Sequence, residues 1–474
     1  MIPVSDEYLK LTESNIRPKC EPVITVSGTD VNGNDIKVVW RANNIKDLTF
    51  KRGIDPIGRE LPYMELTWTE IYTGKLNKES YPEKYNNIMQ HMLVELEFIQ
   101  DLPKENLGTW QKLKKYWTWH RLRNKTWQQV KESDSQEIIK MPKMFLVARP
   151  VIKDKTITWT ARDLLYFFNS TQIGGIGIGS VPQGINIYTF LGSVILNERG
   201  AYLGSEHILN GIKKTALSLA ENEEYEIEQG VILSGTTKDI LLNVLKYKSL
   251  YMTFYDDIIK FEKDYAPYKN YIVRSNVMYE FPKITNGTDI SQYQYKRHIW
   301  QQSKKTKLAQ PIEMQIMGVD FVKWFFDGYG VLAEEIDGNF WADVNYVVDL
   351  KDSANDVVSL EYYPLEDIES EEFIQLTNVG EAFVENNPFW VFDKNSEEVY
   401  TRAQKLKNYF SSNNDSLEFT SLPNLAIEPN DIISVETNLY DGEKAIFKDG
   451  VITEVELKYN GVLKETFKVH EVVL

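Results

Sequence analysis

Strand-type sequence stands at both ends of this chain, separated by a long stretch of different character. Near the start, "VITVSG" and "IKVVW" flank "TDVNGND", whose Asn-Gly pair favours a tight hairpin. "ELPYMELTWTEIYTG" continues in strand residues, and "MLVELEF" alternates apolar and polar side chains, with its leucines and Phe98 spread over two faces. "MFLVARPVI" and "TITWT" resume the pattern. At the far end, "SLEFTSLP", "DIISVETNLY", "AIFKDGVITEVELKYNG" and "TFKVHEVV" are again strands. Within "AIEPNDIISVETNLY", Ile427, Ile432, Val435 and Leu439 are expected in a core, with Pro429, Asn430 and Asp431 shaping the turn. Adjacent Ile432 and Ile433 should point to opposite faces, one inward and the other towards the outside or a neighbour.

The middle is mixed. "TARDLLYFFN" reads as a helix. "TTKDILLNVLKYKS" starts with Thr236 and Asp239 at capping-box spacing, and Ile240, Leu241, Val244 and Leu245 form one helical stripe. "LYMTFYDDIIKFE" reads as a hairpin with Asp256 and Asp257 as turn residues rather than as catalytic carboxylates. The acidic run 351–372 suits a loop or boundary, and "NSEEVYTRAQKLKNYFSS" is an amphipathic helix with Val399, Ala403, Leu406 and Phe410 on one face.

Two motifs invite a ligand. "IGGIGIGSVPQG" carries five glycines, but Ser180 or Pro182 falls where a dinucleotide fingerprint needs its last glycine, and no Gly-Lys-Ser/Thr follows. It reads as a connector. "WQKLKKYWTWHRLRNKTWQQVK", residues 110–131, interleaves Trp110, Tyr116, Trp117, Trp119 and Trp127 with Lys112, Lys114, Lys115, Arg121, Arg123, Lys125 and Lys131, and holds no acid. Charges with stacking rings suit single-stranded nucleic acid; Trp and Arg equally anchor protein interfaces. In an acidic protein the second reading is favoured, with Trp110, Trp117, Trp119, Arg121, Arg123 and Trp127 as candidate interface residues.

Composition narrows the class. With 474 residues, 42% hydrophobic and 26% charged, the chain can bury several cores. Its one cysteine, Cys20, allows no internal disulfide, and the five histidines are scattered, so no metal site, cofactor or catalytic residue is assigned. No signal peptide or membrane-spanning run is expected. The net charge of −16 is uneven: residues 331–474 hold 30 acidic and 10 basic side chains, while the first 330 carry a net of +4. That asymmetry fits either a solvated acidic face or a charge-steered docking surface.

The order of segments resembles the baseplate hub, or tail-associated, proteins of bacteriophage tails, most like those of siphophages infecting Gram-positive bacteria. The resemblance is carried by "ITWTARDLLYFF", "NVMYEFPKI", "NNPFWVFDKNSEEVYTRAQKLKNYF", "PNLAIEPNDIISVET" and "ITEVELKYNGVLKETFKVH". It implies an α+β, mainly β chain with two β-barrel-like domains bracketing mixed middle domains in a ring-forming hub. The parts expected are an N-terminal barrel over 1–160 with an insertion at 104–140, mixed middle segments over 161–285 and 286–375, and a C-terminal barrel with one helix over 376–474. The resemblance further implies a structural virion protein, not an enzyme. It is expected at the phage tail tip, made in the host cytoplasm and assembled as a homotrimer. Expected partners are the tail tube or distal tail protein, the tape-measure protein, other baseplate proteins and the host cell surface, with roles in host attachment and genome ejection and with DNA contact only during passage through the tail. Two alternatives stay open: an adsorption protein binding host-surface glycan, and a tail-associated peptidoglycan hydrolase. The second lacks a Gly-x-Ser-x-Gly elbow or His-x-x-x-His pair.

Overall fold

A computed structural model describes residues 2, 4–12, 19–71 without 31–32, 88, 92–102, 136–169 without 154, 236–255, 258–263, 271–302, 365–390 and 396–472 without 443, with the short strands named below. After helix α1 (Asp6–Thr12) come strands β1 (Cys20–Thr29), β2 (Asp35–Arg41), β3 (Ile45–Gly53), β4 (Tyr63–Ile71) and β5 (Leu93–Asp101). Then follow β6 (Gln136–Lys140), β7 (Met144–Leu146), β8 (Val151–Lys153) and β9 (Thr156–Arg162). The expected hairpin is β1–β2, closed at Thr29 opposite Asp35. Gly33, at φ 82°, donates its N–H to the Asp30 carbonyl at 3.0 Å. In β5, Val94, Leu96 and Phe98 are fully buried. Leu96 and Phe98 thus share one face, because residues two apart in a strand point the same way.

The expected helix at 160–169 begins later. Thr160 to Arg162 complete β9 against β4, and only Leu164–Asn169 turn, as a 3-10 helix. Trp159 and Ala161 are buried while their neighbours are half-buried, so period-two burial outweighs helix propensity there. Part of the glycine run is strand β10 (Ile178–Val181), paired with β12 (Val231–Ser234); between them lies β11 (Leu217–Ser218), and the rest of the run is outside the described residues. Helix α2 (Thr237–Tyr247) carries the capping box as read: Thr236 and Asp239 bond each other's backbone. Its stripe Ile240, Leu241, Val244 and Leu245 is buried. Strands β13 (Tyr251–Tyr255) and β14 (Ile258–Glu262) form the expected hairpin, with 256–257 outside the described residues.

Strands β15 (Tyr271–Val273) and β16 (Lys283–Thr285) precede the long β17 (Ile290–Gln302). Next come β18 (Gln310–Gln315), the meander β19 (Glu334–Ile336), β20 (Asn339–Ala342) and β21 (Tyr346–Asp349), then β22 (Val357–Tyr362), β23 (Leu365–Gln375) and β24 (Glu381–Glu385). The acidic stretch expected as a loop is therefore largely strand. The physical reason is its partner: β23 pairs with β17 along its whole length, and the acids meet cations there. Arg297 Nε lies 2.9 Å from Glu372, and Lys296 pairs with Glu369. Helix α3 (Ser396–Tyr409) buries Val399, Ala403 and Leu406. The chain finishes with β25 (Ser416–Ser421), β26 (Ile432–Asp441), β27 (Lys444–Tyr459) and β28 (Leu463–Glu471).

The fold is mainly β, and its largest sheet joins the two ends of the chain. Its order is β16-β25-β28-β27-β3-β4-β9-β7-β5-β1-β2, with β6, β8, β15 and β26 paired to its members. The junction is β27. Lys444 to Val451 pair with β26, then Glu454 to Tyr459 pair along the same edge with β3. A bulge between Ile452 and Glu454 separates the two halves, and Ile54 N–H bonds the Thr453 carbonyl there at 2.9 Å. The extra residue bends the strand and strengthens its twist. At the other end the sheet curls on itself. Trp40 of terminal strand β2 meets Trp68 of β4 at 5.5 Å and Trp159 of β9 at 5.4 Å, edge to face. The strand order nevertheless stays open: the described strands close no barrel.

Two expectations in the last region are corrected. Ile432 and Ile433 are both buried, so the face opposite the C-terminal core is covered too and neither side chain points outward. Leu439 is 45% exposed, because β26 beyond Glu436 shifts register and leaves the core. The turn residues behave as read: Asn430 has φ 77°, and Asp431 Oδ2 accepts the Glu428 N–H at 3.0 Å.

Between the curled sheet and the helices lies a mixed core of Ile57, Leu164, Leu165, the α2 stripe, Tyr293, Trp390 and the α3 stripe. The β3–β4 connection enters it at Gly58, which has φ 66° and sits where a Cβ would meet the Leu250 carbonyl oxygen at 2.3 Å. Gly58→Ala should therefore cost more than the ~1–2 kcal/mol of a left-handed residue, because backbone must also move. Gly33→Ala, at φ 82° with open space around it, should cost only the backbone term. Thermal melts of the two variants should rank them in that order.

Candidate functional site

The described residues place their most buried charges where separate parts of the chain meet. Arg402 is on the apolar face of α3, within the spacing Val399, Arg402, Ala403 and Leu406, and is 0% exposed. Its Nε and Nη2 each donate to a Glu385 oxygen of β24 at 2.8 Å. Its Nη1 donates to the Ile57 carbonyl of the β3–β4 connection. Tyr293 of β17 donates to Glu385 at 3.0 Å, and Lys246 of α2 stands 3.9 Å away. Burial works against the Glu385 charge, yet the bonds and charge of Arg402 hold its carboxyl below the usual carboxylate range. Burial also pushes the Tyr293 hydroxyl up, so it stays a donor. The arrangement ties four elements to one carboxylate and leaves no free nucleophile, so it is a clamp.

A second set of contacts ties the first half of the chain to the last. Arg52 of β3 donates to the Ile427 carbonyl at 2.6 Å and to Glu428 at 3.3 Å. Tyr8 of α1 accepts the Leu425 N–H at 2.8 Å. On the sheet surface, Glu454 of β27 takes Lys51 at 3.2 Å and Lys468 at 3.0 Å, with Tyr63 donating to it as well. Strand β28 meets α3 through His470, whose ring stacks 3.8 Å over Tyr409 and whose Nε2 lies 2.9 Å from the Tyr409 carbonyl. The carbonyl can only accept, so that nitrogen carries the proton.

The sequence-assigned interface residues Trp110, Trp117, Trp119, Arg121, Arg123 and Trp127 lie outside the described residues. What is described is where their segment leaves and returns: Asp101 ends β5 directly opposite Gln136, which begins β6, and Gln136 Nε2 donates to Asp101 Oδ1 at 2.8 Å. Among the described residues, no group of three His, Cys, Asp or Glu is placed to hold a metal ion. Arg402 and Glu385 were not singled out in the sequence. The available signal was a charged residue within an otherwise apolar helical stripe, since such a residue needs a buried partner.

No family model and no curated protein matches the sequence. Solved structures to which the chain is similar include phage tail proteins. A 43 kDa tail protein of prophage MuSo2 from Shewanella oneidensis aligns at TM-score 0.47 and 9% identity, over 95% of this chain and 98% of that one. The tail protein from Neisseria meningitidis MC58 aligns at TM-score 0.47 and 8% identity, over 94% and 96%. A prophage tail protein from Listeria monocytogenes EGD-e aligns at TM-score 0.41 and 7% identity, over 94% and 94%.

Two outcomes follow from the buried groups. Arg402→Met strands the Glu385 carboxylate and should cost about 3–5 kcal/mol. Adding Glu385→Leu should recover much of that loss, both read from thermal melts. Burial lowers the His470 pKa from 6.5, so the unfolded chain binds the proton first. Stability is then complete above about pH 6.5 and falls as pH drops below it. His470→Phe should flatten that part of the profile.

Proposed function

We propose that this chain is a structural protein of a phage tail tip, a hub joining the tail tube to the host-facing parts. The observation that carries the reading is the junction at β27, where strands from both ends of one chain become one sheet with two cores. One core gathers Trp40, Trp68 and Trp159 with Leu457; the other gathers Ile433, Val435, Val455 and Phe467. Two β halves joined through one strand would let three copies present six related faces to a sixfold tube. Closed rotational symmetry with unequal contacting faces suits the charge asymmetry of the chain. The order of sequence motifs supports the same reading, and so does the use of the buried charges as clamps rather than as reactive groups. The tape-measure protein and neighbouring baseplate proteins are the proposed partners.

Native mass measurement should give assemblies of three 55.1 kDa chains, and particle images should show a threefold ring. A chain that stays monomeric at virion-like local concentration, with no such ring, defeats the hub reading. Within it, the segment carrying Trp110, Trp117, Trp119, Arg121, Arg123 and Trp127 contacts another tail protein. Alanine at Arg121 and Arg123 should then weaken capture of that neighbour. Salt-sensitive binding of single-stranded DNA that is lost in the same variant would assign the segment to nucleic acid instead.

A further inference from the structure

We propose that Asp163 is a proton-operated latch at the point where the chain leaves the N-terminal sheet. This inference is independent of the tail reading. Asp163 stands between β9 and the 3-10 helix Leu164–Asn169 and is 2% exposed. Its own N–H bonds the Met64 carbonyl of β4 at 3.3 Å, and its Oδ1 accepts the Tyr166 N–H at 3.2 Å. Its Oδ2 is buried with no hydrogen-bond partner among the described residues. An orphaned carboxylate oxygen at such a position is costly, whereas a protonated carboxyl is tolerated far better. The residues it leads into, Leu164 and Leu165, are plugs of the core shared with α2.

Neighbouring groups offset the burial of this carboxyl only in part. Arg162 is adjacent, but its guanidinium is bound to Glu65 at 2.5 Å and lies over the Tyr166 ring at 4.2 Å. Helix α2 turns Ile240, Leu241, Val244 and Leu245 into the common core, while its Asp239 caps Thr236 and its Lys246 faces Glu385. In the β3–β4 connection, Asp55 is occupied by Arg59 and by the N–H of Glu60. β7 contributes Phe145. Burial pushes the carboxyl up from 3.8 to about 7, against the backbone bonds and the charge of Arg162.

The folded pKa lies above the unfolded one, so the latch is fully closed below the unfolded value. It is progressively lost as pH rises towards about 7, and levels off above that. Protonation holds the 3-10 turn seated on β4; ionisation at neutral pH loosens it. His470 acts with the opposite sign, on a different joint.

The test is hydrogen exchange of the intact chain from about pH 5 to about pH 8, corrected for intrinsic exchange chemistry. Peptides covering 160–166 are compared with 93–101 of β5. Opening of 160–166 should rise about tenfold per pH unit up to about pH 7 and then level, with 93–101 unchanged. Asp163→Asn keeps an oxygen acceptor without ionising and should abolish the rise. A flat wild-type profile, equal slopes in both peptides, or a slope that survives in Asp163→Asn each overturns the latch. If the variant does not fold, the two wild-type peptides decide alone.

Discussion

Strand β27 is the constraint on which the rest of the architecture depends. Its sixteen residues are long by the standards of globular strands, and the length is used by two different neighbours along one edge. Before the bulge that edge belongs to β26 and the C-terminal core; after it, to β3 and the N-terminal core. Strand β28 runs beside both halves from Gly450 to Tyr459. The ends of the chain are therefore held together by a continuous hydrogen-bond ladder. A packed interface between finished domains could slide or rotate; this ladder cannot do so without breaking backbone bonds.

The buried charges extend the same logic from sheet to helices. Arg402 is worth little as an attractive pair, because desolvation offsets most of the attraction. Its value is geometric. Guanidinium and carboxylate meet in a planar, bidentate fit, and the remaining nitrogen fixes the Ile57 carbonyl of a connection far away in sequence. Arg52 and Tyr8 do similar work between the first and last parts of the chain. Each contact fixes position more than it adds stability.

Local features of this design were legible in the sequence, and long-range ones were not. The capping box of α2 could be read because Thr236 and Asp239 satisfy each other within one turn. The hairpins could be read from turn chemistry and alternation. The run 351–372 was read as a loop or boundary because it is acidic and turn-rich; Lys296 and Arg297, the partners of Glu369 and Glu372, come from a strand far earlier in the chain. Ile432 was rightly expected in a core, but nothing local shows that its neighbour Ile433 is covered as well. Arg402 and Asp163 are isolated charges whose meaning comes from burial, and burial is set by the whole fold.

The paired ends of β5 and β6 have a consequence for how such a chain can change. Asp101 and Gln136 face each other across an antiparallel ladder, where opposite Cα atoms are only about 5 Å apart. Whatever sequence runs between them starts and finishes at nearly one point, and the cost of closing a loop there grows only slowly with its length. The scaffold is thus nearly indifferent to how long that segment is. This is a position at which a lineage can lengthen, shorten or exchange a segment while the surrounding sheet goes on folding as before.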